Sequence, residues 1–193
     1  MARAEAFDRE LVLRQATNVF WEKSYNGTSM QDLVDATGLN RSSIYNSFGS
    51  KLELYRTTLD HYQKSNNKYF QNAMVRANNP LEAIQFIFEA FLPEMLGEDK
   101  DKGCFVMNCK SEMGNQHPDI RKWLLATQER SLSLFQDLVE NGQEQGIINK
   151  NQNSKSYAYY LFNSFQGFRM TGILVKDRKV LQQLIDNSLS VLK

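Results

Sequence analysis

Proline and glycine are scarce in this chain of 193 residues, which holds three of the first and ten of the second. So few breakers argue against many short strands joined by tight turns and favour long helices. Cysteine is scarcer still: Cys104 and Cys109 make no disulfide framework and suit a reducing compartment. The two histidines, His61 and His117, lie far apart, and the cysteines are five apart, so no metal-ligand spacing emerges. Phosphate-loop and nucleophile motifs are missing too, and neither an enzyme nor a bound metal or cofactor is expected. No run of 18 apolar residues occurs, so no membrane span is expected. Met1–Glu10 alternates charges without an apolar stretch, which predicts no export and a cytoplasmic location. Charge of one sign is also lacking. The formal net charge is +1, so composition alone points to no nucleic acid, although a few well-placed basic residues suffice for phosphate contact.

What the chain does hold is apolar residues at 41% and aromatics at 11%, enough for a packed core. Val12, Ala16, Val19 and Phe20 recur at helical spacing and predict a first helix over Phe7 to Lys23. Tyr25-Asn26-Gly27 interrupts it. Thr28 or Ser29 then caps a short helix over Met30 to Thr37, with Asp32 in its first turn, and Gly38 ends that helix. Asn40 caps a third helix to about Ser47, with Ile44 and Phe48 assigned to the core. A fourth begins near Lys51, reaches about Arg76 and is expected to be the sole link between two parts of the chain. Leu81, Ile84, Phe88, Phe91 and Leu92 share one face over residues 81–96, and 98–102 form a charged loop. Helices over Cys104 to Met113, Pro118 to about Asn141, 155–172 and 177–191 follow. The pattern predicts an all-α protein of about nine helices, with a three-helix domain over 1–50 and a helical bundle over 51–193.

Two short helices joined by Ala36-Thr37-Gly38-Leu39-Asn40 have the spacing of a helix-turn-helix. A larger set of residues carries a more specific likeness. Val12-Leu13, Ala16, Val19-Phe20, Tyr25 and Thr28-Ser29-Met30 are followed by Leu33-Val34-Asp35-Ala36-Thr37-Gly38-Leu39. Then come Asn40-Arg41-Ser42-Ser43-Ile44-Tyr45-Asn46-Ser47-Phe48 and Gly49-Ser50-Lys51-Leu52-Glu53-Leu54. This string resembles the DNA-binding domain of the TetR family of bacterial regulators. Departures are Gln15 for a usual alanine, Ser24 and Ser42 where the family often has glycine; Ser24 would strain a left-handed turn.

The resemblance implies a homodimeric repressor of a near-palindromic double-stranded DNA operator, released by a small molecule. Arg41, Ser42 and Ser43 open the recognition helix and are expected to meet base edges or phosphates. Tyr45, Asn46 and Lys51 occupy the family's phosphate-contacting places, and Thr28 and Ser29 are expected to approach the backbone. Leu161, Phe162, Phe165 and Phe168, with Leu181, Leu184 and Ile185, mark two apolar helix faces expected to pair in the dimer. An apolar or aromatic effector is expected among Phe88, Phe91, Phe105, Asn108, Trp123, Gln128, Tyr159 and Gln166. Two alternatives remain open: an activator with the same DNA-binding domain, and a thiol sensor of electrophiles using Cys104 at a helix start.

Overall fold

Local capping chemistry sets the helix boundaries. The computed structural model describes residues 7–97 and 101–193, and it holds ten α-helices and no strand among them. The fold is all-α, with a three-helix N-terminal helix-turn-helix followed by a helical bundle, as the sequence predicts. Helix α1 (Arg9–Gly27) starts at Asp8, whose Oδ1 accepts the Leu11 N–H at 3.1 Å, and it buries Val12, Leu13, Ala16 and Phe20. It runs past the expected end at Lys23, but not unbroken. Ser24 takes φ 61° and ψ 172°, a region essentially reserved for glycine.

Ser29 and Asp32 form a reciprocal capping box that starts α2 (Met30–Thr37). Gly38, at φ 68°, ends it in the left-handed conformation that a side chain would oppose. Asn40 Oδ1 accepts the Ser43 N–H at 2.8 Å and opens α3 (Arg41–Phe48). Ser50 and Glu53 make a second reciprocal cap at the start of α4 (Lys51–Arg76).

The stretch over 81–96, whose apolar residues were expected to share one face, is two helices, α5 (Pro80–Glu89) and α6 (Leu92–Leu96). Pro93 has no N–H to give to the Glu89 carbonyl, so the ladder cannot continue across Ala90–Phe91. That break accounts for ten helices where about nine were expected. The remaining helices are α7 (Phe105–Met113), α8 (Pro118–Glu144), α9 (Ser154–Thr171) and α10 (Arg178–Ser190). Part of the expected charged loop, 98–100, lies outside the described residues. None of the helices described is long and apolar enough to cross a membrane.

Contacts divide the chain into two compact units: Met1–Asn66 with Phe105–Arg121, and Asn67–Cys104 with Lys122–Lys193. This division by contact differs from the division at residue 50 expected from the sequence. Nor is α4 the sole link, as expected from sequence, because α8 also passes from one unit to the other. In the first unit α7 completes the core under the helix-turn-helix. Its Phe105 ring sits 5.6 Å from Tyr55, 5.7 Å from Tyr62 and 6.1 Å from Trp21. Its phenylalanine thus meets the near half of α4. Burying such a ring is worth about 1.5–3 kcal/mol, so α7 is a structural member of this unit.

The second unit is built on aromatic packing. Phe88 meets Phe165 edge-on at 5.2 Å and Phe168 at 5.7 Å, and Phe91 lies 5.3 Å from Phe165. Ile84, Leu161, Leu181 and Ile185 fill the spaces between them. One charge lies within this core. Arg169, 2% exposed, binds Glu94 at 2.6 Å and lies 4.0 Å above the Phe91 ring.

Candidate nucleic-acid interface

Helix α3 has two faces. Ile44 and Phe48, four residues apart, turn inward and are buried, as expected. Arg41, Ser42, Tyr45 and Asn46 are exposed on the other side, with Ser43 half-buried. One guanidinium, a phenol, an amide and hydroxyls thus share an outer surface held by the Asn40 cap and the apolar underside. Such a set can donate to phosphate oxygens and to base edges.

Ser29 is exposed at the cap of α2, whereas Thr28 is buried and its hydroxyl donates to the Ser24 carbonyl at 2.6 Å. Thr28 therefore holds the turn, and its side chain does not face outward. Beside it, Lys23 donates to Asp32 at 2.5 Å. That bond, joined by those from Ser29, holds the Asp32 carboxyl well below the usual carboxylate range and raises Lys23 in turn. Lys51 is half-buried, with its ammonium 4.4 Å above the centre of the Tyr25 ring. Burial lowers its pKa, opposed by the charges of Glu112 and Asp32.

Sequence reasoning missed Glu112 on α7. Its two carboxylate oxygens accept the backbone N–H groups of Tyr25 at 2.9 Å and Asn26 at 2.7 Å. Those partners lie 87 and 86 residues away, so no local spacing could reveal them.

The residues expected to bind an effector are divided between the two units. Phe105 and Asn108 belong to the first unit, and the other six to the second. There Phe88 and Phe91 are packed in the core, Trp123, Gln128 and Gln166 are half-buried, and Tyr159 is exposed. An open cleft of about 250 Å³ in the second unit is lined by Tyr69, Asn72, Arg76, Phe86 and Glu89, and by none of those eight. Of the residues expected at the dimer contact, Leu161, Phe168, Leu181 and Ile185 are buried within the monomer. Phe162, Phe165 and Leu184 are half-buried. Both cysteines are buried and neither is in a disulfide, and burial pushes the Cys109 thiol up to about 11. His61 is half-buried with Nε2 3.1 Å from Glu10, and His117 packs edge-on against Tyr25. Among the described residues no group of three or more His, Cys, Asp or Glu is placed to hold a metal ion.

Residues 12–58 match the model of the bacterial regulatory proteins of the tetR family, and residues 80–187 match the tetracyclin repressor-like C-terminal domain. The HTH-type transcriptional regulator YezE of Bacillus subtilis is 28% identical over 193 residues, all of both chains. The HTH-type transcriptional repressor ComR of Escherichia coli is 31% identical over 137 residues, covering 69% of this chain and 65% of ComR. In structure, a cysteine mutant of the TetR family regulator CifR, complexed with 26bp double-strand operator DNA, superposes with a TM-score of 0.85. The two are 23% identical, and the match covers 100% of each chain. With its C-terminal match alone spanning more than half of the residues, this chain belongs to the TetR family of bacterial regulatory proteins.

Proposed function

We propose that the protein is a cytoplasmic repressor that binds a near-palindromic duplex operator as a homodimer and leaves it when a small molecule binds. The outer face of α3 carries this reading: Arg41, Ser42, Tyr45 and Asn46 are exposed on a capped helix whose other side is buried. Arg41, Ser42 and Ser43 enter the major groove, and Ser29, Tyr45, Asn46 and Lys51 meet phosphates. The sign of regulation follows ComR, a repressor by name, and the operator complex of CifR supports duplex DNA as the partner.

Dimerisation uses what α9 and α10 leave outside the monomer core. Tyr159, Phe162, Gln166 and Met170 follow one stripe of α9, and Val180 and Leu184 one stripe of α10, with Val191 just past its end. The effector is small and apolar or aromatic, taken up in the larger unit near Phe88, Phe91, Trp123, Gln128 and Gln166. The thiol alternative is less favoured, because both sulfurs are buried.

Selection of bound duplexes from a random pool tests the main reading. A near-palindromic consensus is expected, and Arg41→Ala should lose about 1–3 kcal/mol of discrimination at one position of each half-site. Failure of the wild-type protein to enrich any sequence would reject it. Met170→Glu with Leu184→Glu should yield monomers in sedimentation, and an undisturbed dimer would reject the proposed contact.

A further inference from the structure

The break in α1 at Ser24 leaves the Tyr25 and Asn26 N–H groups outside the regular helical ladder, and one side chain takes both. Glu112 Oε2 accepts from Tyr25 and Oε1 from Asn26, at 2.9 and 2.7 Å. A carboxylate spanning two consecutive amides acts as a cap supplied from a distant helix. The Tyr25 ring is held in turn, 5.1 Å from Tyr55, with His117 edge-on at 6.0 Å, and Lys51 rests above it at 4.4 Å. The segment that Glu112 grips leads within three residues to the Ser29 cap of α2. Backbone, ring and ammonium therefore form one chain of contacts from α7 to the surface.

We propose that Glu112 is a positioning residue for DNA binding. It fixes the 24–27 turn and, through the Tyr25 ring, the direction in which Lys51 presents its charge. The inference rests on the DNA-binding reading above. The charge of Asp32 also acts on Lys51, but that carboxylate is itself bonded to Lys23 and Ser29.

The test compares the full-length wild type with Glu112→Gln, Lys51→Met and the double variant. Affinity for the selected duplex is measured at several salt concentrations, beside thermal stability and dimer fraction. Glu112→Gln keeps one acceptor and should weaken binding about tenfold. It should also reduce the slope of log affinity against log salt by about 0.9, the share of one phosphate contact. Lys51→Met should cost much less in the Glu112→Gln background than in the wild type, because the two act in series. A lowered melting temperature with unchanged affinity and salt slope would reduce Glu112 to a structural cap and overturn the proposal. Additive losses would overturn it too. If the wild type selects no duplex, the DNA-binding reading fails and this inference with it; if only the variants match the wild type, this inference alone fails.

Discussion

Replacing Ser24 by glycine should make the protein more stable, although it removes a side chain. Ser24 sits at φ 61° and ψ 172°, where the Cβ of an L-residue is crowded by its own backbone. A residue held in that region costs about 1–3 kcal/mol, and the exposed hydroxyl offers little burial in return. Glycine relieves the strain but gives the unfolded chain more freedom, a penalty of about 0.4–1 kcal/mol. The balance is a gain of about 1 kcal/mol, or roughly 2–4 °C in Tm for a chain of this size. Urea and thermal unfolding of Ser24→Gly, with Ser24→Ala as control, supply the assay. Alanine keeps the Cβ and should gain nothing. Because glycine adopts the same backbone freely, affinity for a selected duplex should stay within about twofold. An unchanged or lower Tm in Ser24→Gly, or an equal gain in Ser24→Ala, would refute the argument.

Three further outcomes follow from groups described above. The Asp32 carboxyl is depressed by its bonds to Lys23 and Ser29, so its contribution is complete above the ordinary carboxylate pKa of about 4. It is lost as pH falls towards the lower folded value, and Asp32→Asn should flatten the acid limb of the stability curve; an unaltered limb would contradict this. Cys109, raised to about 11 chiefly by burial, should resist alkylation at pH of about 8 until the protein unfolds in urea, as read by mass spectrometry. Labelling that precedes unfolding would count against it. Glu94→Ala removes the carboxylate from the buried Arg169 guanidinium and should destabilise by about 3–5 kcal/mol, and a loss below about 1 kcal/mol would mean that the pair is dispensable.

The N-terminal helices were legible because their signals are local. Ser29 with Asp32, Gly38 and Asn40 each act within four residues, so α2 begins and ends where the sequence says. Ile44 and Phe48 could be assigned to the core from spacing alone. The apolar pattern over 81–96 is periodic enough to hide the break that Pro93 imposes. Leu161, Phe168, Leu181 and Ile185 illustrate another limit: periodicity marks an apolar face but does not say whether it closes a monomer or joins two. Glu112 was out of reach because its partners are backbone amides on another helix, which leave no mark in any residue pattern.

The discontinuity of the first unit bears on how such proteins can be recombined. A graft of the N-terminal helices alone onto a relative's larger domain would leave Tyr55 and Tyr62 facing a foreign α7, without the Phe105 ring that now lies against both. The amides of Tyr25 and Asn26 would likewise depend on whether that helix carries an acid in register. The transferable module is therefore two segments, Met1–Asn66 together with Phe105–Arg121. A chimera that exchanges both should inherit the donor's operator preference with its helix-turn-helix core intact, whereas one spliced only at the fourth helix inherits a mismatched seam.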